Sequence, residues 1–304
     1  MISLQHRARY IYKVLVLVIY TFLSSTFISA RSNQQIKLEK VNGYNTAKTE
    51  VFDIYSSLKR GETRKIVRYI NIFAQKADLI YQIKNQFPKR PVIFIFESRK
   101  EFFLHVKKNN LTGSKYAGGF FSPQRNEIVV YLNSSKDELI KVLFHEIAHL
   151  YTHNYLKRFP QALNEGLSTY FETVDLRHHK LKFGLANKKY LDSFKKQVAS
   201  KRLMSVNRFL AIQGYALGKI EETFGHEQYA EAWSLMWYCL HGPEEIKDRF
   251  KEYITFLRKK PDSDGKVFLS IVVKEIHSFS QNWIEYILSS NISRKSNQTR
   301  NVRL

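Results

Sequence analysis

The sequence contains little cysteine, proline or glycine, and each scarcity excludes a class of protein. A single cysteine, Cys239, in 304 residues excludes a disulfide-bonded scaffold and a zinc module built on cysteine ligands. Six prolines and twelve glycines exclude collagen-like and low-complexity chains. After residue 30, no stretch is long and apolar enough to span a membrane.

Acidic residues are also scarce, because 27 Asp and Glu stand against 49 Lys and Arg, a formal net charge of +22. Such an excess is typical of chains that contact nucleic acid, an anionic surface or an anionic polymer. It also occurs in chains where the charge only keeps the protein soluble. No zinc-finger, RRM-like or helix-turn-helix pattern accompanies the charge, so no nucleic acid partner is expected. Apolar residues make up 44% of the chain, which is enough for a large core and excludes wholesale disorder.

Residues 1–30 have the pattern of a secretory signal. Basic residues precede the apolar run Val14–Leu23, and the Ile-Ser-Ala sequence ending at Ala30 offers a cleavage region. The pattern predicts export to the periplasm, the cell envelope or the extracellular space, and an uncleaved membrane anchor stays open as the alternative. Residues 31–49 are interpreted as a polar linker and residues 291–304 as a basic disordered tail.

The hydrophobic pattern predicts an α+β fold. Short apolar runs and amphipathic stretches alternate over residues 50–175, with strands at Val51–Tyr55 and Val92–Phe96, a helix from Glu62 to Gln86, and a hairpin before Lys136. From Lys136 onward the pattern is helical, and residues 176–290 are interpreted as a helical subdomain. We therefore expect a small mixed sheet with an edge hairpin packed on a central helix, followed by a mostly helical C-terminal half.

The central helix, predicted over Lys136–Tyr155, contains the sequence His145-Glu146-Ile147-Ala148-His149. Histidines at positions i and i+4 lie one turn apart on one helix face, so both imidazoles can reach one metal ion, and imidazole nitrogen suits Zn²⁺. Glu146 is rotated about 100° around the helix axis. Its carboxylate then lies beside the ion, in the position of a base that takes a proton from the attacking water.

Three arrangements could supply the third metal ligand. His153 continues the i+4 series, but three successive turns do not converge easily on one tetrahedral ion. A pattern with glycine three residues and histidine six residues after His149 is excluded by Thr152 and Tyr155. The remaining candidate is Glu165, on a second helix that follows a proline break. Two histidines and one glutamate leave the fourth position open, as in catalytic zinc sites.

His-Glu-Ile-Ala-His at 145–149, followed by Leu-Asn-Glu-Gly-Leu-Ser-Thr-Tyr-Phe-Glu at 163–172, resembles the two metal motifs of the gluzincin metallopeptidases. This is the clan of thermolysin and aminopeptidase N. The order of strands and helices over residues 50–175 is similar to that of the peptidase-MA-like exported proteins. The resemblance implies a zinc-dependent hydrolase that acts on a peptide or protein substrate.

The resemblance also implies roles for individual residues. One Zn²⁺ would be held by His145, His149 and Glu165, and Glu146 would be the general base and proton shuttle. Glu172 lies seven residues after Glu165 on the same helical face, and it matches a position that orients a ligand histidine. An exposed helix carboxylate is the other interpretation of Glu172.

Two further parts of the site are implied by the resemblance. Tyr229 matches the catalytic tyrosine that hydrogen-bonds the oxyanion, with His226 as the weaker candidate. A strand containing Gly118, Gly119 and Phe120 matches the edge strand that binds the substrate backbone. No acidic anchor for a substrate α-amine is evident beside that strand, so an endopeptidase is expected.

Basic residues are dense directly after the second motif. Nine Lys and Arg between Leu176 and Arg202 stand against one acid, Asp192. They predict either a solvated helix face or a rim that favours acidic substrates or an anionic envelope surface. The alternative to an enzyme is a non-catalytic basic protein that binds an envelope or polymer and retains a peptidase-like fold. The intact Glu146 disfavours it, because a binding protein needs no base.

Overall fold

The computed structural model describes residues 36–84, 87–111, 118–176, 181–212 and 225–289. The predicted signal at 1–30 and the predicted basic tail at 291–304 lie outside these residues. Over the described ranges, no helix combines the length and the apolar character that crossing a membrane would require.

The N-terminal part of the described chain forms one mixed sheet. Its strands are β1 (Glu39–Val41), β2 (Tyr44–Lys48), β3 (Asp53–Ser56), β4 (Val92–Phe96), β5 (Gly119–Ser122) and β6 (Glu127–Tyr131). They follow the order β1-β2-β3-β4-β6-β5 across the sheet. Strand β4 runs parallel to β3 and β6, and the other neighbouring pairs are antiparallel. The predicted edge hairpin is confirmed, because β5 pairs with β6 alone and ends the sheet.

The helices dominate the rest of the described chain. They are α1 (Arg60–Tyr81), α2 (Arg99–Lys108), α3 (Lys136–Tyr155), α4 (Gln161–Glu172), α5 (Lys188–Ala199), α6 (Val206–Leu210), α7 (His226–His241), α8 (Glu244–Lys259) and α9 (Ile276–Leu288). A short 3₁₀ turn at Gly265–Val267 and a π-helical turn at Leu269–Val273 connect α8 to α9. The α+β fold with a helical C-terminal half is therefore confirmed.

The sheet separates two apolar cores. The larger core lies between one sheet face, α1 and α3, and it continues into the helical half. The smaller core lies on the opposite sheet face, where Phe102 of α2 packs against Phe120 and Tyr131. Strand β5 thus has α2 on one side and α3 on the other, and a Cβ added at Gly118 would lie 3.3 Å from Val142 of α3.

Helix α3 has the predicted limits, whereas α1 is shorter than predicted. The Ser135 hydroxyl caps α3 by accepting the N–H of Glu138. The expected helix from Glu62 to Gln86 instead ends at Tyr81, since Gln82 adopts a left-handed backbone with φ of 53°. Its N–H closes the last turn on the Asp78 carbonyl, so the helix stops before the proline that was expected to end it.

The segment expected to be a polar linker, residues 31–49, contributes two strands to the sheet. Strands β1 and β2 form a hairpin through Asn42 and Gly43, whose φ angles are 49° and 85°. Positive φ at both central positions is what a tight hairpin turn requires, and Asn-Gly favours it strongly. Ala47 is buried in the larger core, which ties the hairpin to the rest of the sheet.

A close helix contact positions the second metal motif. Helix α4 crosses α7 at Gly166, where an added Cβ would lie 2.4 Å from the Ala232 carbonyl oxygen and 2.6 Å from Met236 Cγ. Only a residue without a side chain permits this approach. The neighbouring Glu165 is thereby held between α7 and α3.

Candidate metal centre

Helix α3 presents His145 and His149 from a well-buried support. Leu143, Ile147 and Leu150 of the same helix are fully buried and fix its rotation about its axis. The two Nε2 atoms face one another at 2.9 Å. The i, i+4 spacing therefore brings both imidazoles to one point, as the motif predicts.

Helix α4 brings Glu165 to the same point. Its Oε2 lies 3.5 Å from His145 Nε2 and 3.6 Å from His149 Nε2. Its other oxygen, Oε1, accepts a hydrogen bond of 2.7 Å from Gln161 Nε2, which orients the carboxylate. Among the described residues, this trio is the group of His, Cys, Asp and Glu side chains that could hold an ion.

The donor set fits a zinc ion. Ligand atoms at about 2.0–2.1 Å from a tetrahedral ion lie about 3.3 Å from one another. The three separations, of 2.9, 3.5 and 3.6 Å, are close to that value. Glu165 Oε2 is buried and has no hydrogen-bond partner within the described part of the chain. Such an oxygen is costly to bury unless a cation satisfies it.

Carboxylates surround the two imidazoles. Burial opposes a positive charge on His145, but Glu172, Glu165 and Glu146 nevertheless hold the pKa of its imidazole well above the ordinary value. Burial likewise opposes ionisation of Glu165. The two histidines outweigh this effect of burial, so the pKa of the carboxyl lies below its ordinary value. The electrostatics of the site therefore favour positive charge where the three side chains meet.

The Nδ1 atoms of both histidines face polar atoms of α4. Glu172 Oε1 lies 3.0 Å from His145 Nδ1. Asn164 Oδ1 and Ser168 Oγ each lie 3.1 Å from His149 Nδ1. An acceptor at Nδ1 keeps the ring proton there and leaves the Nε2 lone pair for a metal. Glu172 thus forms an ion pair with His145, but His145 Nδ1 has no hydrogen bond of proper geometry within the described residues, so the orienting role of Glu172 stays a prediction.

Sequence reasoning missed Asn164, Ser168 and Gln161. Ser168 follows Glu165 by three residues and Gln161 precedes it by four, so both lie on its helical face. That spacing is a signal that could have found them. Asn164 depends on how α4 is rotated against α3, which the sequence pattern does not reveal.

Glu146 lies beside the candidate ligands, and its own carboxylate makes a different contact. Its Oε2 accepts a hydrogen bond of 2.9 Å from the backbone N–H of Phe121 on β5. Its carboxylate is nevertheless close enough to raise the pKa of His145. A carboxylate next to the ligands, and outside the ligand set, suits proton transfer.

Two phenols lie close to the carboxylates of the site. Burial, followed by Glu165, Tyr190, Glu172 and Glu146, raises the pKa of Tyr229 on α7. Burial, Glu172 and Glu165 likewise raise the pKa of Tyr190 on α5, a residue that sequence reasoning missed. Both phenols therefore stay protonated at neutral pH, as hydrogen-bond donors must.

The two histidines named as alternatives lie apart from the ligand group. His226 is exposed at the start of α7, with its ring 5.8 Å from that of Tyr190. His153 is exposed on α3 and packs near Phe121, with ring centroids 5.5 Å apart. The structure does not bring His153 into the trio of possible ligands.

The predicted substrate strand has a specific orientation. Tyr131 N–H donates to the Gly118 carbonyl at 3.1 Å, so these two residues form a hydrogen-bonded pair. Because such pairs alternate along an antiparallel ladder, Phe120 also faces β6 with its backbone groups, and Gly119 and Phe121 face the open edge. Of Gly118, Gly119 and Phe120, Gly119 directs its backbone outward, and so does Phe121 at the end of the predicted strand.

The basic segment at 176–202 contributes a solvent-facing helix. On α5, the inner face buries Phe194 and Gln197, while Lys195 and Lys196 are exposed. Arg177 and Lys180 lie outside the described residues. The observed lysines form a solvated face on the helix that also carries Tyr190.

One family model matches the chain, over residues 140–264, and its description is "Protein of unknown function (DUF1570)". The matched segment contains the three candidate ligands, Glu146 and Tyr229. It begins within α3 and does not include β5. No curated protein was found to match the sequence.

Proposed function

We propose that this protein is a zinc-dependent metallopeptidase of the gluzincin type, an endopeptidase that hydrolyses peptide bonds. The observation that carries the proposal is the convergence of His145 Nε2, His149 Nε2 and Glu165 Oε2, an oxygen with no hydrogen-bond partner among the described residues, with Glu146 beside them. Three protein ligands leave one position open, which is the arrangement of catalytic zinc sites. The His-Glu-Ile-Ala-His sequence supports the same assignment.

A bound Zn²⁺ would supply a Lewis acid and lower the pKa of a water molecule at the open position. Glu146 then accepts the proton of the attacking water and passes it to the leaving amine. Tyr229 donates a hydrogen bond to the oxyanion of the tetrahedral intermediate. Glu172 and Asn164 hold the imidazole tautomers, and the open edge of β5 binds the substrate backbone.

Localisation and partners belong to the same proposal. The secretory pattern at residues 1–30 supports an exported enzyme of the periplasm, cell envelope or extracellular space. The exposed lysines of α5 support contact with an acidic substrate or an anionic envelope surface.

Metal content and cleavage test the proposal together. We expect about one zinc per chain in the purified wild type and none in Glu165→Ala, measured by mass spectrometry of the metal. Peptide-library cleavage should disappear in Glu146→Gln, which keeps the size of the side chain and removes the base. Absence of zinc from the wild type at neutral pH would overturn the site. Zinc with cleavage unaffected by Glu146→Gln would overturn the mechanism.

A further inference from the structure

The open edge of β5 is engaged by a side chain of the metal helix. Phe121 directs its N–H away from β6, and Glu146 Oε2 accepts it at 2.9 Å. An outward N–H on an edge strand is the group with which an added peptide strand pairs. One hydrogen-bond donor therefore faces two acceptors, the Glu146 carboxylate and a peptide carbonyl.

We propose that Glu146 and an extended peptide compete for the Phe121 N–H, so that Glu146 is a latch that peptide binding displaces. In the free protein the carboxylate is held on the strand. In the complex a peptide carbonyl takes the N–H, and the carboxylate is released toward the metal centre. The inference rests on the proposed function in one respect, because it takes the ligand of β5 to be an extended peptide.

The strand cannot avoid this competition by moving. A Cβ at Gly119 would lie 2.4 Å from Val130 Cγ1 and 2.8 Å from the Val129 carbonyl oxygen, so β5 is pressed against β6. On the α3 side, the Phe121 ring packs near His153. The Phe121 N–H is thus fixed in place, and a peptide reaches it only when the carboxylate turns away.

The strength of the latch follows from its charge. A hydrogen bond from an N–H to an ionised carboxylate is stronger than one to a neutral carbonyl. Replacing the first by the second weakens peptide binding, and removal of the carboxylate should strengthen binding by about tenfold. A residue proposed as the catalytic base is therefore expected to oppose substrate binding.

The first test follows the Phe121 amide in the full-length chain by NMR-detected hydrogen exchange. Glu146→Ala should accelerate its exchange by tenfold or more, and Glu146→Gln should accelerate it less because an amide oxygen still accepts. Glu138→Ala is the matched control, since this carboxylate is exposed on α3 and pairs with Lys141. Unchanged exchange in Glu146→Ala would overturn the latch.

The second test measures the affinity of an end-blocked alanine heptapeptide that carries one glutamate for solubility. Chelator is present, so no cleavage interferes. Glu146→Ala should bind it about tenfold more tightly than the wild type. Phe121→Pro removes the donor at a position where an edge strand tolerates proline, and Phe121→Leu keeps the donor. The gain from Glu146→Ala should vanish in the proline background and persist in the leucine background.

The outcomes separate the two proposals. The latch is overturned if Glu146→Ala binds the peptide as tightly as the wild type or more weakly, or if neither protein binds it. The proposed function is then still judged by zinc content and cleavage. Absence of zinc or of cleavage overturns the proposed function, whereas neither hydrogen exchange nor peptide affinity in chelator depends on the metal.

Discussion

In the described part of the chain, histidine and glutamate side chains meet in two largely buried places, and the two contacts differ in what they leave unsatisfied. In the first, His105 Nε2 of α2 lies 2.8 Å from Glu127 Oε1 of β6. Arg125 Nε lies 3.4 Å from the other oxygen of Glu127, and the His105 ring packs 4.3 Å from that of Phe94. This pair is closed, because both carboxylate oxygens have partners inside the protein.

The second contact, on α3 and α4, is open. The Nε2 atoms of His145 and His149 meet at 2.9 Å, and Glu165 Oε2 is buried beside them with no hydrogen-bond partner in the described ranges. The same residue types thus make a structural pair in one place and a convergent set of lone pairs in the other. Burial of histidine and glutamate alone does not indicate a metal site, and the convergence of three possible ligand atoms is what makes the second contact a candidate.

The largest expected effect separates the metal-binding roles of the two contacts. His145→Ala should abolish zinc binding, and it should also destabilise the metal-free protein because Glu165 then keeps only His149 against its burial. His105→Ala should keep about one zinc per chain and lower the free energy of unfolding by about 3 kcal/mol, because it leaves Glu127 buried with a weakened partner. Metal analysis and urea unfolding in chelator measure the two effects.

The comparison would break if the two substitutions behaved alike. Loss of zinc from His105→Ala, in a protein that circular dichroism shows to be folded, would mean that the closed pair also supports zinc binding. Retention of zinc by His145→Ala would show that the open contact is not the metal site.

The next effect concerns the helix that carries Glu165. Gly166→Ala should lower the free energy of unfolding by about 2–3 kcal/mol, since its Cβ would lie 2.4 Å from the Ala232 carbonyl oxygen. The separation of α4 from α7 should also weaken zinc binding. Gly61→Ala is the control, because that glycine in α1 has no atom within 4 Å of an added Cβ. It should stabilise the protein by about 0.5 kcal/mol. Equal stabilities of the two variants in urea would contradict the close contact.

A smaller effect is expected at the Nδ1 side of the open contact. Glu172→Ala removes the carboxylate that lies 3.0 Å from His145 Nδ1. Zinc affinity should fall about 10- to 100-fold, as is usual for partners of ligand histidines. Competition with a fluorescent chelator measures it, and Glu227→Ala, at the surface of α7, serves as the control. Unchanged affinity would favour the other interpretation of Glu172, an exposed carboxylate with no role in the site.

The trio His145, His149 and Glu165 could be predicted because its information is local. Helical periodicity alone puts the two histidines on one face, and a proline break lets the next helix return. The closed pair could not be predicted in the same way. His105 and Glu127 come from separate elements that meet only through the sheet, so no spacing signals their contact.

The edge strand lies where it was expected, and its register, which the sequence pattern does not reveal, decides which backbone groups face the open edge. Gly119 faces outward, whereas Gly118 and Phe120 pair with β6. Side chains and backbone groups alternate with a period of two, so a shift of one residue exchanges the inward and outward sets. The Asn42-Gly43 turn is the opposite case, because its signal was present in the sequence and was not used.

Glu231 extends the comparison to a buried carboxyl outside both contacts, whose Oε1 accepts a hydrogen bond of 3.4 Å from the Met204 N–H. Its Oε2 has no hydrogen-bond partner in the described residues, and burial raises its pKa to about 7. The carboxyl ionises in the unfolded chain near pH 4.5 and in the folded chain only near 7, so the free energy of unfolding falls as pH rises between these values.

The variant Glu231→Gln tests this, because its side chain does not titrate. Its advantage over the wild type in urea unfolding should therefore grow from pH 4.5 to a plateau above 7, by about 3 kcal/mol. Glu227→Gln, on the same helix but in a surface ion pair with Arg202, should show no such growth. A constant offset between wild type and Glu231→Gln across this range would mean that the folded protein already accommodates the ionised carboxylate.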